Sequence, residues 1–171
     1  AYEIAQCLGG SEMCIRDSIE EPGIGPVSTP DLYEEYPLIM ITGARTTSFF
    51  HSEHRQIPYL RQLTPDPWVQ INPKTAAEHN ISEGDWVWIE NHRGRCRQRA
   101  RVTYEVSEKE IAAQHGWWFP EQDGEEPNLF GVWKSNFNSL VPHMNIGKLG
   151  FGAPYKGVMC NMRRVRGLNQ D

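Results

Sequence analysis

Between Trp86 and Tyr104 the chain reads WVWIENHRGRCRQRARVTY, two runs of alternating character around the polar reversal NHRG. Alternation with period two places successive side chains on opposite faces of a strand, so the segment is expected to form a β-hairpin. Its second strand sends Arg95, Arg97, Arg99 and Arg101 to one face and Cys96, Gln98, Ala100 and Val102 to the other. The arginine face has two readings. It binds an anion, or it is a solvated or partner-facing surface balanced by Glu90 and neighbouring acids, suited to an acidic neighbouring domain.

Other short runs extend the β pattern. Leu38 to Thr42 is an apolar run closed by Gly43, the mark of a buried strand ending in a turn. WVQI (68–71), the stretch 111–118 and the stretch 158–165 also read as strands. A short helix is possible around Ile57 to Leu63. A second, in NPKTAAEHNIS, has both ends marked: Asn72 caps it, Pro73 sits where a missing N–H costs nothing, and Asn80 suits the left-handed conformation that ends it. The segment from Glu121 to Tyr155, rich in Gly, Pro and Asn, reads as long loops. Many short strands without an internal repeat imply a mainly β barrel with one or two short helices.

The expected organisation is an atypical leader over 1–18, read as a cloning or sequencing scar, an extended linker arm over 19–36, a barrel over 37–166 and a tail over 167–171. At 171 residues one core is the default. A formal charge of -5 argues against a general nucleic-acid binder, and no window supplies the apolar length of a membrane span. Four scattered cysteines form neither a disulfide framework nor a CxxC pair, which fits a reducing, cytoplasmic setting; export of a longer parent protein stays open.

Several stretches bear chemistry. In TGARTTSFFHSEHR, a glycine past a buried strand admits close backbone approach, and the hydroxyls of Thr42, Thr46, Thr47 and Ser48, with Arg45, suit phosphate oxygens; the plainer reading is a polar surface loop. His51 and His54 stand three apart, a workable spacing for zinc but without evident further ligands, so His51 is better read as a hydrogen-bonding group. HGWWFP (115–120) is the most unusual stretch. If it is a strand, Trp117 and Trp118 face opposite sides, one entering the core and the other needing cover from a ligand or another domain, unless the following loop buries both. Asn136 and Asn138 in SNFNSL offer donors and acceptors for a heterocycle edge, or are turn residues; Tyr155 and Lys156 form a surface turn or contact a phosphate or ring.

In this order PLIMITGAR, FFHSEHRQIPYLR, DPWVQINPKTAAEHNISEGDWVWIENHRGR, QHGWWFPE, SNFNSL and APYKGVMC resemble the C-terminal dinucleotide-binding domain of the molybdopterin oxidoreductases, the dimethyl sulfoxide reductase and formate dehydrogenase superfamily. FHSEHRQIP and HGWWFPE are most similar to the branch that includes acetylene hydratase. The resemblance implies a double-psi β-barrel of the aspartate decarboxylase type that helps hold a bis(molybdopterin guanine dinucleotide) cofactor of molybdenum or tungsten. It implies a cofactor loop of Thr42, Gly43, Arg45, Ser48 and His51, a pterin-lining stretch of His115, Gly116, Trp117 and Trp118, and polar contacts from Asn138, Tyr155 and Lys156. Metal ligands and an iron–sulfur cluster would lie on upstream catalytic domains, with an electron-transfer subunit as a further partner. None of the four cysteines stands in a ligand context, so neither catalytic nor metal-ligating residues are expected in this chain, and KLGFGAPYKG departs from the family's run before the Tyr and Lys. The competing expectation is a free-standing barrel that binds a protein partner.

Overall fold

The computed structural model describes residues 29–142 and 156–166. The leader, the first part of the arm, the tail, Tyr155 and the side chain of Lys156 therefore lie outside the described residues. Six strands close into a barrel: β1 (Leu38–Ile41), β2 (Trp68–Ile71), β3 (Trp86–Asn91), β4 (Gly94–Val102), β5 (Glu110–Ala113) and β6 (Lys156–Arg164). Their order around the barrel is β1-β5-β2-β4-β3-β6. β1 runs parallel to β5 and β2 to β4, while the remaining neighbours are antiparallel. The strands β1 and β2 thus leave a gap that β5 fills, and β2 and β3 leave one that β4 fills, giving the interleaved mainly β barrel that the sequence implied.

The expected hairpin is β3 and β4, in a register that pairs Trp86 with Arg99 and Asn91 with Gly94. Its alternation is regular: Val87, Ile89, Cys96, Gln98 and Ala100 point inward. With Met40, Val69, Ile71, Ile111, Val158, Cys160 and Met162 they form the barrel core. Burial pushes the Cys96 thiol up to about 12 and the Cys160 thiol higher still, so both serve as small apolar groups.

Among the described residues four short α-helices accompany the strands: α1 (Pro30–Glu35), α2 (Pro58–Leu63), α3 (Pro73–Glu78) and α4 (Val132–Ser135). The first three carry proline in their first turn, where no backbone donor is lost. Asn72 caps α3 by accepting from the Lys74 N–H, and Asn80 follows at φ 54°, as read from the sequence. No helix among the described residues is long and apolar enough to cross a membrane.

Two expectations need correction. The strand expected over 111–118 stops at Ala113. The buried Gln98 amide then takes both backbone groups of Gln114: Oε1 accepts from its N–H at 3.0 Å and Nε2 donates to its carbonyl at 2.7 Å. Side-chain bonds replace the next step of the ladder, and Gly116 at φ 62° turns the chain out of it. The second correction concerns 121–155, whose described part is not simply loop. α4 and the following 3₁₀ turn, Phe137–Leu140, send Phe137 and Leu140 into the core, and the Ser135 carbonyl accepts from Gln98 Nε2.

Gln98, fully buried on β4, therefore fastens two other segments to its own strand. Gln98→Leu keeps the volume but strands the N–H and C=O of Gln114, at about 1–3 kcal/mol per unsatisfied group. Urea denaturation is expected to show a loss of about 2 kcal/mol or more, with hydrogen-exchange protection at Gln114 lost; an unchanged midpoint would show that the clamp carries no stability.

Candidate functional site

Residues 114–119 leave the barrel between the loop that follows β1 and the segment around α4. Gly116 sits against the loop: a Cβ there would lie 3.3 Å from Ser52 Cβ and 3.4 Å from its backbone, so the close approach and the left-handed φ both require glycine. Its N–H donates to Asn136 Oδ1 at 3.1 Å, and the same oxygen accepts from the Asn138 N–H. Trp118 Nε1 donates to the Ser52 carbonyl at 2.6 Å. His51 Nδ1 and His115 Nε2 are 2.9 Å apart. Three segments far apart in sequence are thus tied at one place.

The loop is held in a strained form. His51 and His54 adopt φ of 50° and 73°, a conformation that costs a residue with a side chain of order 1–3 kcal/mol. Arg55 offsets part of this by donating from Nη1 to the His51 carbonyl at 2.7 Å. Ser48 Oγ and Thr46 Oγ1 both lie within hydrogen-bond reach of Thr64 Oγ1, so these hydroxyls brace the loop. Each retains a lone pair for a further contact.

Arg55 is 2% exposed, yet no carboxylate among the described residues pairs with it and its Nε has no hydrogen-bond partner. Its guanidinium lies 4.8 Å from the Phe49 ring centre and 4.7 Å from that of Trp117, and Arg61 stands 5.2 Å from the same indole. Burial, with the nearby charge of Arg61, lowers the Arg55 pKa to about 10, which leaves it charged at neutral pH. Cation–π contacts stabilise it partially, but the charge itself is unbalanced.

Arg45, Arg55, His51, His115, Ala44, Thr46, Phe49, Phe50 and Gln114 enclose a recess of about 110 Å³. No acidic residue lines it among the described residues. Burial, then His51, Arg45 and Arg55, hold the His115 pKa below its ordinary value, and its buried Nδ1 lacks a partner. The lining is cationic and rich in donors, as an anionic, oxygen-bearing ligand requires. Ligand pockets usually measure about 300–1,000 Å³, so this recess by itself is too small to enclose a ligand of that class.

The expected residues largely gather here. Arg45 and His51 line the recess with His115, while Ser48 sits in the same loop, and Thr42 and Gly43 lead into it from β1. Gly43 is not in the left-handed region; a Cβ would instead crowd Ile41 Cδ1 at 3.1 Å. Asn138 lies beside the site, but Asn136 makes the contact to Gly116. The tryptophans differ from expectation. Trp117 is fully buried outside the barrel core, in a cluster with Phe49, Phe119 and Leu60. Trp118 is half-buried, held by Ser52 and by the edge of Phe130 at 5.6 Å. The ring left exposed at the recess is Phe50, at 63%. Arg55 and Arg61 had no assigned role from sequence, because the indole of Trp117 that defines them comes from about 60 positions away, whereas Asn136, read as a heterocycle-edge group or a turn residue, accepts from the Gly116 N–H. His54 Nε2 lies 3.9 Å from a Glu53 carboxylate oxygen and its carbonyl accepts from the Ile57 N–H, and no metal-type cluster of three or more ligands occurs among the described residues.

Residues 38–159 match the model of the molydopterin dinucleotide binding domain. Dopamine dehydroxylase of Eggerthella lenta is 52% identical over 124 residues, 72% of this chain and 12% of that protein. Acetylene hydratase of Syntrophotalea acetylenica is 38% identical over 104 residues, 61% of this chain and 14% of that protein. The solved acetylene hydratase from Pelobacter acetylenicus superposes with a TM-score of 0.77 at 31% identity, covering 85% of this chain and 21% of that one. The chain therefore spans about an eighth of the length of the first of these relatives. Nothing in these matches supports the free-standing interaction module.

The His115 shift sets a pH dependence. Its folded pKa lies below 6.5, so on acidification the unfolded chain takes up the proton first and stability falls as the pH drops below about 6.5. Chemical denaturation at pH 7.5 and 5.5 is expected to show a larger loss for the native chain than for His115→Gln. Equal losses would remove His115 as the source.

Proposed function

The chain belongs to the molydopterin dinucleotide binding domain family, and from that premise we propose that the recess of Arg45, His51, Arg55 and His115 is its wall of the cofactor site. The observation that carries this reading is the buried, unbalanced Arg55 beside the donor-rich histidine pair. A molybdopterin guanine dinucleotide brings the oxygen-rich, negatively charged surface these groups lack. Arg45 and Arg55 would meet its charge, His51 and His115 would donate to or accept from its polar edge, and Phe50 would cover an apolar face. Thr42, Gly43 and Ser48 would shape the loop, Gly116 would admit close approach, and Trp117 would fix the arginines from behind. Trp118 and Asn138 would border the site, with Tyr155 and Lys156 proposed as further contacts.

When bound, the cofactor supplies metal-centred redox or hydration chemistry through molybdenum or tungsten ligated by other domains. This chain's residues bind and orient it, and exclude water through the aromatic cluster behind Arg55. In the whole enzyme we expect upstream catalytic domains, an iron–sulfur cluster and an electron-transfer subunit as partners. The names of the relatives above make dehydroxylation and hydration the reaction classes to test first. A cytoplasmic setting is in keeping with the unbridged Cys96 and Cys160.

The test is cofactor content. In the full-length parent enzyme, Arg45→Ala and Arg55→Met are each expected to lower pterin and metal occupancy about tenfold under limiting cofactor, the equivalent of one charge-assisted hydrogen bond. Occupancy equal to the unmodified enzyme in both variants would refute the assignment.

A further inference from the structure

The arginine strand takes no part in the recess as a whole, and its outer face is unusually ordered. Arg95 stands 4.3 Å from the Trp88 ring centre, Arg97 lies 5.9 Å from Trp88 and 5.5 Å from Trp86, and Arg99 is 4.6 Å from Trp86. Guanidinium and indole alternate across β3 and β4 as one ladder. Arg101, also on β4, continues it against Trp68 of the neighbouring β2, 4.7 Å away.

Charge balance along the ladder is incomplete. Arg99 pairs with Asp66 at 3.1 Å, and on β6 Arg163 pairs with Glu90 and Arg164 with Asp85. Arg95, Arg97 and Arg101 have no carboxylate partner among the described residues, and Arg97 Nε is buried without an acceptor. Stacking has already removed much of the rotamer freedom of these side chains, so a ligand would not have to immobilise them.

We propose that this face docks an extended, carboxylate-bearing segment of a partner polypeptide. Side chains on alternate strand residues recur every ~7 Å. An extended peptide with acids at alternate positions has the same repeat, so its carboxylates meet successive guanidiniums in the two-pronged geometry that arginine favours. β4 is bonded to β2 on one side and β3 on the other, so the segment binds through side chains and adds no strand. Nucleic acid fits worse: the chain carries a net charge of -5, and Asp66, Asp85 and Glu90 flank the ladder where a phosphate backbone would run.

Fluorescence anisotropy with a labelled peptide alternating Glu and Ser, added to the full chain, tests this. The expected result is binding that weakens about tenfold or more when Gln replaces Glu in the peptide, and by a similar factor in the double variant Arg97→Gln/Arg101→Gln. Arg97→Lys/Arg101→Lys keeps the charge but loses the planar fork and is expected to fall between. Circular dichroism checks that each variant folds. No binding by the native chain, equal affinity for the Glu and Gln peptides, native affinity in the Gln double variant, or tighter binding of single-stranded DNA than of the peptide would each overturn the proposal.

Discussion

Everything distinctive about this site begins where one buried amide stops a strand. Gln98 is fully enclosed and bonds to both backbone groups of Gln114 and to the Ser135 carbonyl. An apolar residue at that position would have to leave those groups unpaired or let β5 continue. Because the ladder ends there, residues 115–119 emerge as irregular backbone from a rigid barrel, aimed at the loop after β1. The same residue that completes the core on one side of β4 thus sets the direction of the site, and this coupling explains why a polar group occupies the interior.

Once that direction is fixed, the local geometry follows from mutual restraint. His51 holds a left-handed conformation that its side chain disfavours, and it persists because Arg55 takes its carbonyl, His115 takes its ring and Gly116 packs against the next residue. Removing any of these loosens the others. The two imidazoles share one short contact, so one ring accepts where the other donates. Burial first, then His51, Arg45 and Arg55, favours the neutral form of His115.

How far the sequence discloses this depends on the range of the interactions. The hairpin of β3 and β4 was legible because its alternation is local and strict, and the ends of α3 because Asn72, Pro73 and Asn80 each act through their own backbone. The grouping of Arg45, His51, His115 and Gly116 came from resemblance; the structure places the first three around one recess and Gly116 against the same loop. The end of β5 was not legible, since it is decided by a glutamine sixteen residues earlier that looks like any inward polar residue of a strand. Arg55 was hidden for the same reason: nothing local in FFHSEHR marks it, and Trp117, from beyond β5, joins Phe49 in packing against its guanidinium. The reading of HGWWFP as a strand failed because it weighed the tryptophans and overlooked the conformational freedom of Gly116.

Arginine and tryptophan meet in two settings here, and burial decides what each can do. Around Trp117 the guanidinium of Arg55 is withdrawn from water, so its solvation loss is large and the rings return only part of it. A charge kept in that state needs a counter-ion to be at its most stable, which ties the order of the recess to the presence of an anion. On the outer face of β4 Arg95 and Arg101 are exposed, so stacking costs little solvation and, among the described residues, leaves both without a carboxylate partner. The buried pair is therefore suited to a resident ligand that comes in during assembly and stays, and the ladder to a partner that exchanges with solvent. Two uses of one side-chain pair on a chain of net negative charge follow from the depth at which the fold places them.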